Sequence, residues 1–123
     1  MSNIEARKEK EAIFHDLVRD KSSAEYARLT SNKKFYSITR KSLSFTENWL
    51  NERCKNKKVL DYCCGNGELA IKLAQKGANA FGIDISPLSI ENAKKDSVKV
   101  GLEGKTFFSV MDAESMTFEN NFF

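Results

Sequence analysis

The chain has 123 residues, 41% of them hydrophobic, and a formal net charge of +3. This length suits a single domain with its own core, and so small a charge does not by itself indicate a nucleic-acid-binding protein. No apolar run is long enough for a membrane span and no secretory leader precedes the first helix, so we expect a cytoplasmic protein.

The charge is divided unevenly along the chain. Residues 1–58 contain 14 Lys and Arg against 8 Asp and Glu, a balance of +6, whereas residues 59–123 contain 6 against 9, a balance of −3. A basic helical face is most often a solvated surface, so we do not expect nucleic acid as a partner. The three cysteines, Cys54, Cys63 and Cys64, are typical of a reducing compartment, and with His15 as the only histidine no metal site is expected.

The first part of the chain has the pattern of a charged helix over Ile4–Asp20. One side of it carries an apolar stripe, formed by Ile13, Phe14, Leu17 and Val18. His15 lies beside this stripe, and we interpret it as an exposed or boundary residue rather than a catalytic base.

Two polar breaks, at residues 21–23 and 30–32, divide the rest of the leading segment. A short helical piece with Tyr26 and Leu29 lies between them, and a longer helix with Ile38, Phe45 and Trp49 follows. Large apolar side chains at helical spacing usually pack into a core, which is our interpretation of Phe35, Phe45 and Trp49. For Tyr26 and Tyr36 a core role and a role in a lid over a ligand site both stay open.

The second half alternates strands and helices. The apolar run that ends in Asp61 predicts a first strand, and Gly65 and Gly67 predict a tight loop, because glycine accepts positive φ. A helix over Glu68–Lys76 is predicted to stop at Gly77. The remaining elements are predicted in this order: a strand over Ala80–Asp84, a helix from Pro87 to Val100 capped by Ser86 and stopped by Gly101, and a strand over Thr106–Met111.

This alternation indicates right-handed βαβ units and a parallel sheet. Asp61, Asp84 and Asp112 each follow or end a strand. Because ligands of such sheets bind beyond the carboxyl ends of the strands, we expect the three acids at one binding edge.

At this point the sequence resembles the class I S-adenosylmethionine-dependent methyltransferases, from Lys58 to Phe123. The stretch from Val59 to Gly67 is similar to the first motif of the family. Residues 82–86, Gly-Ile-Asp-Ile-Ser, resemble its ribose-binding strand end, and residues 110–114, Val-Met-Asp-Ala-Glu, resemble the acidic turn after its third strand.

The resemblance implies an α/β Rossmann-like three-layer fold with S-adenosyl-L-methionine as cofactor. It implies that Asp61 and the loop hold the methionine half, Asp84 the ribose, and Asp112 with Ala113 the adenine. The implied cofactor residues are Asp61, Cys63, Gly65, Asn66, Gly67, Asp84, Ile85, Asp112 and Ala113. Cys63 departs from the family, which often has a glycine at that position. No catalytic residue is assigned.

A nicotinamide-dinucleotide domain is the main alternative cofactor class, since Gly65 to Ala70 satisfies the G-x-G-x-x-G/A pattern and Asp84 lies at the expected distance. Charge argues against it. Asp61 and Glu68 would repel a pyrophosphate, whereas the sulfonium and ammonium groups of S-adenosylmethionine are attracted by carboxylates.

The resemblance also implies a seven-stranded sheet, of which three strands are found. We therefore expect residues 1–55 to form a helical lid or cap segment and residues 56–123 the N-terminal portion of a cofactor-binding domain truncated after the third strand. A small-molecule methyl acceptor is expected, and the alternative is a non-catalytic cofactor-binding or interaction remnant. The first strand is central in the family's sheet, so here it is expected to form an exposed edge that favours self-association.

Overall fold

A computed structural model describes residues 2–20 and 39–123. Within these residues two helices precede the sheet, and strands and helices then alternate. The elements in chain order are α1 (Asn3–Arg19), α2 (Arg40–Arg53), β1 (Lys58–Tyr62), α3 (Glu68–Gln75), β2 (Asn79–Asp84), α4 (Pro87–Lys99) and β3 (Thr106–Val110).

The three strands form one parallel sheet in the order β1-β2-β3. Leu60 pairs with Phe81, and Phe81 pairs with Phe107. This confirms the predicted α/β architecture. It places the ends of β1, β2 and β3 along one edge, where a parallel sheet of this class binds its ligands.

The helix boundaries follow the residues that predicted them. Ser86 caps α4 by accepting a hydrogen bond from the Ser89 N–H at 3.0 Å, and Pro87 is the first residue of the helix. Gly77 and Gly101 stand just past α3 and α4 with φ of +96° and +69°. A capping box at the start of α1, formed by Ser2 and Glu5, was not predicted, although its S-x-x-E pattern is visible in the sequence.

The core lies between the sheet and the two helices α3 and α4. Its main cluster consists of Ala70, Ala74, Ala80, Ile90, Ala93 and Phe108. A smaller cluster of Cys54, Leu73 and Ala78 joins the end of α2 to this layer, with Leu50 and Val59 packed against it.

The opposite face of the sheet carries an aromatic cluster that the sequence did not predict. Successive strand residues point to opposite faces, so Phe81 and Phe107 lie on the side away from α3 and α4. Their rings stack with centroids 4.7 Å apart, and Phe118, Phe122 and Phe123 pack edge-on around Phe81. The C-terminal segment thereby covers part of this face.

The predicted packing of the leading helices is wrong in two places. Phe45 and Trp49 are 71% and 48% exposed, and none of the residues of α2 is buried. The reason is that α2 reaches the core only through its end, at Leu50 and Cys54, while the Trp49 ring contacts the Arg53 guanidinium at 4.8 Å.

The apolar stripe of α1 is also mostly exposed. Val18 is its one buried member, and Ile13, Phe14 and Leu17 are more than half exposed. Helix α1 packs against α4 with a mixed face, on which polar and charged side chains make the specific contacts.

Several sequence interpretations lie outside the described residues: the helical piece with Tyr26 and Leu29, and the positions of Phe35, Tyr36 and Ile38. The lid role of the two tyrosines therefore stays a prediction. Among the helices that are described, none is long and apolar enough to cross a membrane.

Candidate cofactor-binding site

The loop between β1 and α3 turns sharply through three residues with positive φ: Cys63 at +56°, Gly65 at +53° and Gly67 at +78°. Positive φ is unfavourable for a side chain such as that of Cys63, so this position holds local backbone strain where the family often has glycine. At Gly67 a Cβ would lie 2.8 Å from Ala93 and Phe108. Gly67 therefore allows the loop to pack closely on the core.

Asp84, at the end of β2, is buried and supports this loop. One carboxylate oxygen, Oδ2, accepts a hydrogen bond from the Gly65 N–H at 2.8 Å, and Oδ1 accepts one from the Ser86 N–H at 2.9 Å. Each oxygen keeps a second lone pair that a ligand hydroxyl can use.

Asp61, at the β1 end of the loop, is a carboxylate with an unused acceptor. Its Oδ2 is buried and has no hydrogen-bond partner among the described residues. Burial raises the pKa of Asp61, and the charge of Asp84 adds to this, while a backbone hydrogen bond from Ala70 acts in the opposite direction. A buried acceptor without a donor is costly, so this oxygen is suited to a cationic or N–H ligand group.

Asp112, after β3, is engaged by helix α1. The Lys8 ammonium bonds to Asp112 and also lies 2.7 Å from Oε2 of Glu114. The Glu114 N–H donates to Oδ1 of Asp112 at 2.9 Å. The hydrogen bond from Lys8 lowers the pKa of Asp112 and raises the pKa of Lys8.

Two cavities open on this edge of the sheet. The first, of about 460 Å³, is lined by the predicted residues Asp61, Cys63, Gly65 and Asn66, together with residues of α2 and α3. The second, of about 410 Å³, is lined by the predicted residues Cys63, Asp84, Ile85, Asp112 and Ala113. Gly67 lines neither cavity. The resemblance implies the methionine half for the first group and the adenosine half for the second, and this assignment stays a prediction.

Helix α1 supplies site residues that the sequence reasoning missed. Lys8 and Arg19 line the second cavity, and Arg19 also lines the first. Asp16 accepts hydrogen bonds from the Ser86 hydroxyl and from the Leu88 N–H, the latter at 3.2 Å, and so fixes α1 to the start of α4. No local pattern indicates these contacts, because they join residues about 70 to 100 positions apart. His15 is half-buried and also lines the second cavity, which fits its interpretation as a boundary residue.

The two adjacent thiols of the loop are poor nucleophiles. Burial, with the charges of Asp61 and Asp84, raises the pKa of Cys64 to about 12. Burial and then the charges of Asp84, Asp61 and Asp112 raise the pKa of Cys63, although its side chain is exposed. The field at the loop is therefore negative and favours a cationic ligand. Residues 2–20 and 39–123 contain no group of three acidic, His or Cys side chains arranged to hold a metal ion.

Comparison with known proteins shows the family and the fold of the chain. Residues 54–123, more than half of the chain, match a family model described as a methyltransferase domain. The match contains β1, β2 and β3 with every predicted cofactor residue.

Curated relatives cover several acceptor classes. A ribosomal protein L11 methyltransferase of Paraburkholderia phymatum is 49% identical over 51 residues, which are 40% of this chain and 17% of that protein. A ubiquinone biosynthesis O-methyltransferase of Pseudomonas aeruginosa is 37% identical over 73 residues, 56% of this chain and 32% of that protein. A 23S rRNA (uracil(1939)-C(5))-methyltransferase of Salmonella typhimurium is 32% identical over 69 residues, 56% of this chain and 16% of that protein. The chain thus spans about a third or less of the length of these relatives.

Solved structures show the same fold. An S-adenosylmethionine-dependent methyltransferase from Geobacter sulfurreducens, crystallised with S-adenosyl-L-homocysteine, superposes with a TM-score of 0.51 at 26% identity, over 59% of this chain and 29% of that one. A second such complex, from Thiobacillus denitrificans, gives a TM-score of 0.51 at 28% identity with the same coverage. The chain belongs to the methyltransferase-domain family, within the class I S-adenosylmethionine-dependent methyltransferases.

Proposed function

We propose that this protein binds S-adenosylmethionine and serves in the transfer of its methyl group to a small molecule. The observation that carries the proposal is the meeting of Asp61, Asp84 and Asp112 around two adjoining cavities at the ends of three parallel strands. A negative site of this kind suits a cofactor with sulfonium and ammonium charges and opposes a pyrophosphate.

Different residues of the chain bind different parts of the cofactor. Asp61 offers an orphaned buried acceptor to the amino-acid half, and Asp84 offers its remaining lone pairs to the ribose hydroxyls. Asp112, with Ala113 and Ile85, borders the space proposed for adenine. The cofactor supplies the reactive methyl group, so the protein contributes mainly orientation and exclusion of water.

We further propose that residues 1–55 act as a helical lid on the cofactor-binding part, residues 56–123, and that the protein is cytoplasmic. The contacts of Lys8 and Asp16 with the sheet edge and with α4 support the lid, because they lay α1 along the second cavity. The match to a ubiquinone biosynthesis O-methyltransferase supports a small-molecule acceptor.

Titration calorimetry on the 123-residue chain tests the cofactor class. We expect heat from S-adenosylhomocysteine and S-adenosylmethionine and none from NAD, and tight NAD binding without a response to S-adenosylhomocysteine would refute the proposal. Transfer of a labelled methyl group is then assayed separately with small-molecule, RNA and protein fractions. Cofactor binding without transfer to any fraction would favour the alternative of a non-catalytic binding module.

A further inference from the structure

Lys8, in the first half of α1, bridges two acidic residues that follow β3. Its ammonium bonds to Asp112 and lies 2.7 Å from Oε2 of Glu114, and all three residues line the second cavity. Lys8 and Asp112 are half-buried, whereas Glu114 is exposed. The bridge therefore ties the leading helix to the sheet edge at the wall of the cavity proposed for the adenosine half.

Both carboxylate oxygens of Asp112 are in use. Oδ2 accepts a hydrogen bond from Lys8, and Oδ1 accepts one from the Glu114 N–H at 2.9 Å. The hydrogen bond between Lys8 and Asp112 lowers the pKa of Asp112 and raises the pKa of Lys8, so the pair is charged at neutral pH. An adenine amino group is a hydrogen-bond donor, as an ammonium is, so the two would compete for the same acceptor.

The two ends of α1 are held by different contacts. Near its C-terminal end, Asp16 accepts a hydrogen bond from the Leu88 N–H at 3.2 Å, and the Arg19 carbonyl accepts one from the Asn92 amide at 3.4 Å. The first half meets the sheet edge through the Lys8 bridge. Ion pairs near a protein surface are weak and are screened by salt. The first half of α1 can thus detach from the sheet edge while the second half stays on α4.

We propose that the Lys8 bridge is an autoinhibitory latch, which the adenosine half of the cofactor must displace from Asp112 in order to bind. This rests on the proposed function, because the adenine is that of S-adenosylmethionine. In the free protein the latch holds α1 against the second cavity, and binding of the cofactor releases the first half of the helix. Lys8 thereby lowers the affinity for the cofactor without being one of its ligands.

The test measures the affinity of two ligands for four forms of the full 123-residue chain by titration calorimetry. The ligands are S-adenosylhomocysteine and 5′-methylthioadenosine, which share the adenosine half and differ in the amino acid. The forms are the wild type, Lys8→Met, Glu114→Gln and Lys10→Met. Lys10 is an exposed residue of α1 outside both cavities, so Lys10→Met makes the same exchange on the same helix as a control.

Lys8→Met is expected to tighten the binding of both ligands about 2-fold to 5-fold, since a partly exposed ion pair no longer has to be broken. Glu114→Gln should tighten both by a smaller factor, because it removes one of the two negative charges that hold Lys8. The two variants change the net charge in opposite directions, so a gain in both excludes a general charge effect. Lys10→Met should keep the wild-type affinities.

Hydrogen exchange of α1, detected by NMR, gives a readout that does not depend on affinity. In the wild type, S-adenosylhomocysteine should speed the exchange of amides 7–12, because a short helical segment without tertiary contacts is only marginally stable. Lys8→Met should show this faster exchange already without ligand. Amides 16–19 should not change, since the contacts of Asp16 and Arg19 with α4 are kept.

Weaker binding of both ligands to Lys8→Met, or unchanged affinities in both Lys8→Met and Glu114→Gln, would overturn the latch, and so would slower exchange of amides 7–12 in the complex. The proposed function stands in each of these cases if the wild type binds S-adenosylhomocysteine. A wild type that binds neither ligand would overturn both. Circular dichroism checks the fold of each variant. Should Lys8→Met unfold, Glu114→Gln decides, since tighter binding of both ligands supports the latch and unchanged or weaker binding refutes it.

Discussion

The carboxylate of Asp84 holds the main chain of Gly65 at the carboxyl end of the sheet, with Oδ2 2.8 Å from the Gly65 nitrogen. Its other oxygen, Oδ1, accepts a hydrogen bond from the Ser86 N–H at the start of α4. One buried side chain thereby joins the glycine loop, the end of β2 and the next helix. A residue proposed to bind ribose also shapes the loop proposed to hold the methionine half, so its removal affects both folding and binding.

We expect Asp84→Ala to lower the free energy of unfolding by about 1 to 3 kcal/mol, because two buried N–H groups lose their acceptor. The same variant should weaken the binding of S-adenosylhomocysteine by a similar free energy, since the ribose hydroxyls lose a charged acceptor. Urea denaturation and calorimetry measure the two effects. Glu91→Ala is the control, because it removes an exposed carboxylate paired with Lys95. It should change neither the free energy of unfolding nor the affinity for S-adenosylhomocysteine by much. Lost stability with unchanged affinity would reduce Asp84 to a structural role.

Gly82 should tolerate no side chain. A Cβ there would lie 2.5 Å from Cδ1 of Phe108 and 3.1 Å from the Cys64 sulfur, in the middle of the core. We expect Gly82→Ala to cost about 1 to 3 kcal/mol of stability through overpacking. Gly104→Ala is the matched control, because a Cβ at Gly104 would have nothing within 4 Å. Its stability should stay within about 0.5 kcal/mol of the wild type. Equal urea midpoints for the two variants would contradict the packing of Phe108 against β2.

The cysteines should differ in their rates of reaction with a thiol reagent. Cys63 is exposed and should react first, whereas Cys54 is buried and the pKa of Cys64 is about 12, so that roughly one Cys64 in ten thousand is a thiolate at pH 8. The pKa of Cys63 is also raised above the ordinary cysteine value of 9.0. Cys63 should therefore react faster as the pH rises above 9.0. S-adenosylhomocysteine should slow this reaction, since Cys63 lines both cavities. A fast phase that persists in Cys63→Ser would show that another thiol is the reactive one.

The attachment of α1 to the sheet edge should depend on pH. The folded-state pKa of Asp112 lies below 3.8, so its stabilising contact is present above that value and is lost as the pH falls through the lowered pKa. The pKa of Lys8 lies above 10.5, so the same contact is lost again as the pH rises through that raised value. Amide chemical shifts of α1 should report both transitions, and Lys8→Met should abolish them. Unchanged transitions in Lys8→Met would assign them to other groups.

The free edge of β1 should promote self-association. Within the described sheet β1 pairs with β2 on one side only, and Tyr62 at its end is 66% exposed. We expect concentration-dependent association in sedimentation velocity, reduced by Tyr62→Lys, because a charge on an edge strand opposes pairing between chains. Val98→Lys, at an exposed apolar position on α4, is the control and should leave association unchanged. A monodisperse wild-type monomer that S-adenosylhomocysteine stabilises would contradict this expectation.

The sequence by itself determined the strand-loop-helix order, the helix boundaries at Ser86, Gly77 and Gly101, and the three acids at the ends of the strands. These features depend on local physics: hydrophobic periodicity, the positive φ that glycine accepts, capping hydrogen bonds, and the parallel direction of strands joined by helices. Each is decided by residues a few positions apart. They were therefore predictable from short segments.

The tertiary structure alone decided which side chains complete the site and which apolar residues are buried. Lys8 contacts Asp112 across 104 positions of sequence, and Phe45 and Trp49 stay exposed because α2 meets the core only at its end. Helical periodicity indicates that a face is apolar but not what covers it. The position of Arg19 against Gly65 depends in the same way on the docking of α1 onto α4, a packing of distant segments that no local pattern encodes.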